Sequence, residues 1–503
     1  MVVVTISNRL SQQVQRLTKV FRLFHQSRIL CSKLDRRIRV NVGRSGPASS
    51  ELVSQCAREL GMEVEHRVKP DCDLYWHRRD YLAQRIPCGA YVSTTPGIKD
   101  TFSKSTLGSL LNRMQRFFPA DYQFYPRSWS YPEEHHELDK YIKQKKELGQ
   151  SPTFILKPSA GSLGVGIYLF KDVKSITNTE PAVVQEYINN PLLLDGLKFD
   201  LRLYVLVPSF DPLEAYISSC GLVRFCTAPY EAPTVDNLSN DYIHLTNYAV
   251  NKNNAEYSLE YCKRTVNDTL DQLSSQHDVT SFWTDVKEIV AKTLIAVLPT
   301  LRIESRSYML ERNLDGPLNC FQLLGFDILM DENCKLHLLE VNSNPSQDTS
   351  FERLVSPGVV EVLGSDIDVR IKKLFMTDCL KIMQRKILKY DDLAADTSYT
   401  RVPLDYPDLM LLEQCRQLFL NISSGVKLEL SDFTKFVKYF ELISDAKFDE
   451  NNATAVFTHL SEMDDCLSFD QFITAVLEIS RRHFGENFDV VQLQRMLKHC
   501  RIC

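Results

Sequence analysis

The 503-residue sequence has no apolar stretch long enough to cross a bilayer: its most apolar segment, Ile289 to Leu301, is short and broken by Lys292. That pattern reads as a buried helix. Net charge is also slight, 59 Lys and Arg against 64 Asp and Glu, or −5. Whole-chain charge therefore gives no reason to expect a nucleic-acid partner. Fourteen cysteines occur without paired spacing, and no secretory apolar segment precedes them, so reduced thiols in the cytoplasm are expected. Repeats of 20–50 residues and low-complexity tracts are absent. A collagen-like fibre, a small disulfide scaffold and a wholly disordered chain are excluded. What is present, 44% apolar and 24% charged residues, suffices to bury large cores in about two to four domains.

Charge is unevenly placed. Residues 1–44 hold ten Lys and Arg and one acid, Asp35, a local +9. Leu10, Val14, Leu17, Phe21 and Phe24 share one helical face. A basic amphipathic helix of this kind could pack on the next domain, meet an acidic polymer, a membrane surface or calmodulin, or act as a mitochondrial transit peptide.

Periodicity divides the chain into a basic leader (1–36), a small α/β domain (37–120), a larger domain (121–390), a polar linker (391–409) and a helical block (410–503). In the small domain, strands at Arg37 to Val42, Met62 to Val68 and Asp73 to Trp76 flank a helix at Ser50 to Leu60. The larger domain alternates strands (Ala182 to Tyr187, Phe199 to Val207, Glu214 to Phe225, Cys320 to Met330, Lys335 to Val341) with helices (Glu260 to Ser274, Ser281 to Leu301, Ile367 to Leu388).

Three segments carry chemistry. Phe154 to Phe170, FILKPSAGSLGVGIYLF, reads as strand, loop, strand, with Gly161, Gly164 and Gly166 letting backbone N–H groups approach a phosphate. Lys157 could supply a fixed positive charge beside it. The segment is neither a P-loop, since GxxxxGK[ST] is absent, nor a dinucleotide fingerprint, since the loop returns into a strand. Taken alone, a plain turn explains it as well. In CFQLLGFDILMDENCKLHLLEVNSNPS (Cys320 to Ser346), Asp327 lies on one strand, while Glu340 and Asn342 share a face of the next. Two carboxylates and an amide suit Mg²⁺, a hard cation that also takes nucleotide oxygens. An apolar sheet interior rarely holds two carboxylates without a counter-ion, which is expected to be that cation. On Phe199 to Val207 and the residues before it, Lys198, Asp200 and Arg202 alternate with Phe199, Leu201 and Leu203. Arg224, Thr246 and Asn247 add polar groups suited to substrate or ribose contacts.

From about Asp73 to Leu388 the chain resembles the tubulin tyrosine ligase-like family, through KPSAGSLGVGI, NPLLLDGLKFDLRLYVLV, HLTNYAVNK and LLGFDILMDENCKLHLLEVNSNPS, and more loosely through TPGIKDTFSK and PRSWSYPEE. The resemblance implies an ATP-grasp fold, with mixed β-sheets flanked by helices, and an ATP-dependent ligase joining an amino acid to tubulin. It implies that Lys104 and Lys157 contact ATP phosphates, with Gly161, Gly164 and Gly166 in the covering loop. Gln185 and Ile188 would sit at the adenine hinge. Asp327, Glu340 and Asn342 would hold Mg²⁺. Lys198, Asp200, Arg202, Arg224, Thr246 and Asn247 would line the ATP and acceptor side, with Arg202, Arg224 and Lys157 serving catalysis. DPLEAYISSCGLVRFCTAPYEAP (Asp211 to Pro233) is most similar to the glutamate-adding branch, so free glutamate and tubulin tails are the expected substrates of a monomeric polyglutamylase. Ser343 stands where many glutamylases carry His, and NSNPS is shared with glycine-adding relatives. Glycine or tyrosine addition and a catalytically silent microtubule binder are the alternatives. The family places such a protein on cytoplasmic microtubules, cilia or flagella.

The C-terminal block reads as helix pairs with degenerate EF-hand-like loops. One twelve-residue frame runs from Asn421 to Asp432 with Val426 at the Gly position, the other from Leu460 to Gln471 with Asp465 there. Neither ends in the bidentate Glu that Ca²⁺ requires, so packing or partner binding without calcium is expected. Cys500 to Cys503 has the outline of a prenylation box with an unusual Arg and terminal Cys; free thiols are the expectation.

Overall fold

The computed structural model describes residues 37–67, 69–77, 86–87, 89–159, 164–177, 180–252, 254, 262–312, 319–356, 359–423, 426–442, 449–461, 465–484 and 489–500. The basic leader 1–36, Gly161 and residues 501–503 lie outside the described residues.

The first strands are β1 (Arg39–Asn41), β2 (Glu63–Glu65), β3 (Leu74–Tyr75) and β4 (Tyr91–Val92), with α1 (Pro47–Glu59) between β1 and β2. After α2 (Ile98–Thr101) and α3 (Lys104–Phe117) come β5 (Ser128–Tyr131), α4 (His135–Glu147), β6 (Phe154–Pro158), β7 (Tyr168–Phe170) and β8 (Ala182–Glu186). The centre of the chain holds β9 (Leu193–Leu194), β10 (Leu197–Phe210), β11 (Leu213–Phe225), α5 (Asp241–His244), α6 (Tyr248–Asn251), β12 (Lys263–Thr265), α7 (Val266–Leu273) and α8 (Phe282–Glu311). Next are β13 (Asn319–Cys320), β14 (Gln322–Met330), β15 (Leu336–Asn342), the hairpin β16 (Ser350–Ser356) and β17 (Val359–Gly364), α9 (Asp366–Ile387) and β18 (Tyr399–Arg401). The last block is α10 (Leu411–Ile422), β19 (Leu428–Glu429), α11 (Leu430–Tyr439), α12 (Glu450–Ser461), β20 (Cys466–Leu467), α13 (Phe469–Phe484) and α14 (Asp489–His499).

Three sheets make the α/β architecture expected from sequence. A parallel sheet in the order β13-β4-β3-β1-β2 takes its edge strand from far along the chain. An antiparallel sheet runs β5-β8-β6-β7, and a larger one runs β12-β11-β10-β14-β15, with β18 on β11 and β9 on β10. The alternation read on β10 holds. Phe199, Leu201 and Leu203 are buried in the main core, while Asp200 and Arg202 face their charged partners on β11 and β14. Helix α8 crosses beneath, and Ile289 to Leu301 is buried apart from the half-buried Thr300, as a segment so largely apolar demands. Lys292 is tolerated there because its ammonium reaches Glu288 and, at 3.0 Å, Asp121 at the rim.

Three expectations change. Within the helix read from Glu260, Lys263–Thr265 is a short strand, β12, because it completes the edge of β11, and α7 follows from Val266; Glu260 and Tyr261 lie outside the described residues. The helix read as ending at Leu301 continues to Glu311 through Pro299. The stretch 391–409 is not free of structure: Tyr399–Arg401 pairs with β11 and buries Tyr399. No helix among the described residues is long and apolar enough to cross a membrane. The eleven described cysteines are all free thiols.

Candidate active site

Five adjacent strands each place a charge on one face of the larger sheet. Register sets Lys263 opposite Arg224, Arg224 opposite Asp200, Arg202 opposite Asp327, and Asp327 opposite Glu340. Cross-strand neighbours lie about 5 Å apart, so these side chains must pair or repel. They pair. Arg202 grips Asp327 with Nε and Nη2, the second at 2.9 Å. Arg224 grips Asp200 with Nε at 2.7 Å and with Nη2, which also donates to Asp327 at 2.9 Å. The guanidinium of Arg202 lies close over Gly325: a Cβ there would stand 3.1 Å from Arg202 Cδ and 3.0 Å from Pro345. Burial opposes ionisation of Asp327, yet Arg202 and Arg224 hold its carboxyl well below the usual carboxylate range. The counter-ions that the buried Asp327 demands are therefore two arginines of the chain, which corrects the argument that its burial by itself requires a cation.

Two cavities meet above this row. A cleft of about 670 Å³ between the smaller and larger sheets is lined by Lys157, Gln185, Ile188, Lys198, Asp200, Arg224, Thr246, Asn247, Asp327 and Glu340. A second of about 1210 Å³ takes Lys104, Ser103, Tyr125, Asn342 and Ser343, and shares Lys157, Gln185 and Glu340 with the first. Every described residue nominated from the sequence lines one of the two, except Arg202, which lies beneath Asp327, and Gly164 and Gly166, which follow the loop. The shared wall is narrow. Lys157 Nζ donates to Gln185 Oε1 at 2.7 Å and to the Leu339 carbonyl at 3.3 Å. Gln185 Nε2 donates to Ser128 Oγ at 3.0 Å. Gln185 thus holds Lys157 while lining both cavities, and Tyr187 and Ile188, just beyond β8, line the cleft beside it.

Burial pushes the Lys157 ammonium down to about 8, against the pull of Glu340. Burial likewise pushes Lys198 down to about 8, although it donates to Tyr187 Oη and the His244 carbonyl, each at 2.8 Å. His244 falls to about 4 through burial and Lys198, so it is neutral beside Tyr187.

Sequence reasoning missed the residues that hold these groups. Asn251, buried, donates to the carbonyls of Leu245 and Asn247 and accepts from the backbone and hydroxyl of Thr227, folding HLTNYAVNK around the cleft. Lys263 and Lys372 share the buried Asp368 at 2.7 and 2.8 Å, pinning α9 to the sheet edge. No motif spacing flags either, because Asn251 reaches Thr227, 24 residues away, and Asp368 reaches Lys263, 105 residues away. The pair HLTN/Asn251 could have been found only from the unusual density of amides in that segment.

Gly164 is the point where the glycine loop touches HLTNYAVNK. Its φ is +86°, and a Cβ would stand 2.9 Å from Val250 Cγ2. Gly149 has a similar φ, +70°, in open space. Gly149→Ala should then cost about 1–2 kcal/mol for the backbone alone, and Gly164→Ala measurably more; equal urea midpoints for the two variants would contradict this contact.

The donor set was tested for a divalent cation. Among the described residues no three His, Cys, Asp or Glu side chains converge. Asp327 and Glu340 do face each other, with the Asn342 amide 3.4 Å from the first and 3.1 Å from the second. Two carboxylates and an amide that rotates to present its oxygen fit Mg²⁺, which is bound by one or two carboxylates and otherwise by water and phosphate.

Comparison with known proteins bears on this geometry. The sequence profile of the Tubulin-tyrosine ligase family matches residues 91–367. The chain is 42% identical over 349 residues to tubulin polyglutamylase TTLL11 of Mus musculus, covering 66% of this chain and 48% of that protein. It is 37% identical over 319 residues to tubulin polyglutamylase ttll6 of Danio rerio, covering 62% and 40%. Over 524 aligned residues it is 30% identical to tubulin polyglutamylase ttll-11 of Caenorhabditis elegans, covering 92% and 73%. The chain thus spans about half the length of the first two relatives.

Proposed function

This chain belongs to the tubulin-tyrosine ligase family, and on that premise we propose that it is an ATP-dependent polyglutamylase, joining glutamate through an amide bond to glutamate side chains in tubulin C-terminal tails. The observation that carries this reading is the junction at Lys157, Gln185 and Glu340, where a cleft suited to a nucleotide opens into a second, wider cavity. The reaction needs two anions to meet. An acceptor carboxylate attacks the γ-phosphate, ADP leaves, and the incoming amine displaces phosphate from the acyl-phosphate to form the amide.

The chain's residues divide that work. Tyr187 and Ile188 would receive the base, and Thr246 and Asn247 the ribose side. Lys157 and Lys104 would face the phosphates from opposite walls, offsetting charge that develops in transfer. Arg202 and Arg224 keep Asp327 ionised and hold it toward Glu340. Asp327, Glu340 and Asn342 would hold Mg²⁺, which when bound screens the phosphate oxygens from the attacking carboxylate. Ser343, beside Asn342 in the wider cavity, faces the acceptor side. Cytoplasmic microtubules, including those of cilia or flagella, are the proposed site of action.

Incorporation of labelled glutamate, glycine and tyrosine into purified microtubules with ATP and Mg²⁺ tests the proposal. Glutamate uptake is expected. Uptake of glycine or tyrosine would retain the ligase and overturn the glutamate assignment; uptake of none would overturn both.

The lysines add a pH dependence. Lys157 and Lys198 lose their protons near pH 8 in the folded chain, against 10.5 for a free lysine. Between these values the unfolded chain binds more protons, so stability rises with pH while the positive charge available to a nucleotide falls. Nucleotide affinity should therefore decline above about pH 8, and the Lys157→Arg chain, always charged, should show a shallower decline in a binding titration.

A further inference from the structure

The C-terminal module has the build of an EF-hand pair without its ligands. Helices α10–α11 and α12–α13 are joined by loops whose strands β19 and β20 pair at Leu428 with Leu467, the eighth positions of the two frames beginning at Asn421 and Leu460. In a calcium sensor the apolar face between such helices opens to take a target helix. Here the chain covers that face itself. Leu493, Met496 and Leu497 of α14 are fully buried, and one continuous core runs from them through α10 and α13 into Leu107, Leu111 and Met114 of α3 and the apolar face of α8.

Two ion pairs tie the seam. Arg302 of α8 donates to Glu413 of α10 and to the Phe210 carbonyl at the β10–β11 turn, and Glu413 also accepts from Arg416. Arg113 Nη1 of α3 donates to Asp470 Oδ1 of α13 at 2.8 Å.

Helix α3 connects this seam to the cavities. Its first residue is Lys104, set by the Ser103 cap and lining the wider cavity. Next to Arg113, Asn112 Nδ2 donates to the Ser128 carbonyl at 2.7 Å. Ser128 Oγ accepts from Gln185, and Gln185 accepts from Lys157. A chain of direct contacts thus runs from Asp470 through α3 and β5 to Lys157, while the same helix carries Lys104 at its other end.

We infer that the C-terminal module is a calcium-independent positioning element: it acts through α3 to hold Lys104, in the wider cavity, and Lys157, at the junction of the two cavities, in place relative to each other. The inference rests on the nucleotide reading of that junction. Asp470, Arg113 and Asn112 are positioning residues, since none of them lines either cavity.

The test uses the full chain with Arg113→Glu, Asp470→Arg, the double exchange and, separately, Asn112→Leu. Dissociation of a fluorescent ATP analogue, kcat and KM for glutamate incorporation, and the thermal midpoint are read for each. Each single variant is expected to weaken analogue binding roughly three- to tenfold, with a midpoint within about 4 °C of the parent. The double exchange should restore affinity, and added Ca²⁺ should change nothing. Single variants that fold and bind the analogue as the parent does would overturn the inference, as would a loss that the exchange leaves uncorrected or any stimulation by Ca²⁺. Should Arg113→Glu fail to fold, Asp470→Asn with Asn112→Leu decides by the same readouts. Failure of the parent chain to bind the analogue would instead overturn the nucleotide reading, and this inference with it.

Discussion

Glu340→Gln is expected to remove glutamate incorporation, by about a thousandfold or more, and to leave the protein folded. Glu340 is half-buried at the meeting of the two cavities, where its carboxylate accepts from the Asn342 amide at 3.1 Å. A neutral amide of the same shape keeps that contact available; buried Lys157 loses the pull of the Glu340 charge but keeps Gln185 Oε1 and the Leu339 carbonyl as partners. What it loses is the negative charge needed opposite Asp327, where a divalent ion and the phosphates would be organised, and such preorganised charge is worth several kcal/mol to the transition state. Incorporation measured beside a thermal melt checks both halves. Activity within tenfold of the parent would remove Glu340 from the chemistry.

Asp327→Asn should behave differently although the residue stands directly opposite. Asp327 is 2% exposed, and its two oxygens take three hydrogen bonds from Arg202 and Arg224. Removing the charge leaves two guanidiniums facing each other with only Asp200 between them. Breaking a buried pair in this way costs about 3–5 kcal/mol, so the variant should lose stability as well as turnover. Urea unfolding provides the measurement. Its low carboxyl pKa places the corresponding pH effect in acid: the contribution is complete above 3.8 and is lost only as pH falls through the lower folded value. A variant as stable as the parent would show that the arginines find other partners. Asp327→Leu combined with Arg202→Met, Arg224→Met and Asp200→Leu should be more stable than Asp327→Asn, since replacing Asp200, the other partner of Arg224, along with the rest leaves no member of the cluster as an orphaned charge.

In sequence these two carboxylates look alike, each an acid set among apolar residues within a strand. One-dimensional pattern finds both because period-2 alternation puts acids on one face of a strand. It does not say which acid is surrounded by arginines, because Arg202 and Arg224 come from strands 125 and 103 residues away. The same limit explains Gln185. The family resemblance puts it at the adenine hinge, and only the pairing of β8 with both β5 and β6 shows that its amide also reaches Ser128 and Lys157. It also explains β12, where a run with helical spacing begins as a strand because the open edge of β11 offers hydrogen bonds that local propensity does not weigh.

The sequence by itself determined the parts that depend on local order: the alternation on β10, β14 and β15 that puts charges on one sheet face, the glycine loop, the apolar helix α8 and the absence of complete calcium loops. It also carried the family resemblance, because those local patterns follow one another in a fixed order. Tertiary structure decided what depends on partners distant in the chain: the arginine pairing of Asp327, the hold of the buried Asn251 amide on Thr227, the pairing of the edge-strand Lys263 with Asp368 and the docking of the C-terminal helices against α3 and α8. The division is physical. Periodicity and turn chemistry act over a few residues and leave their trace in consecutive letters, whereas the cost of a buried charge or an unpaired amide is met by whichever group the fold brings within about 3 Å.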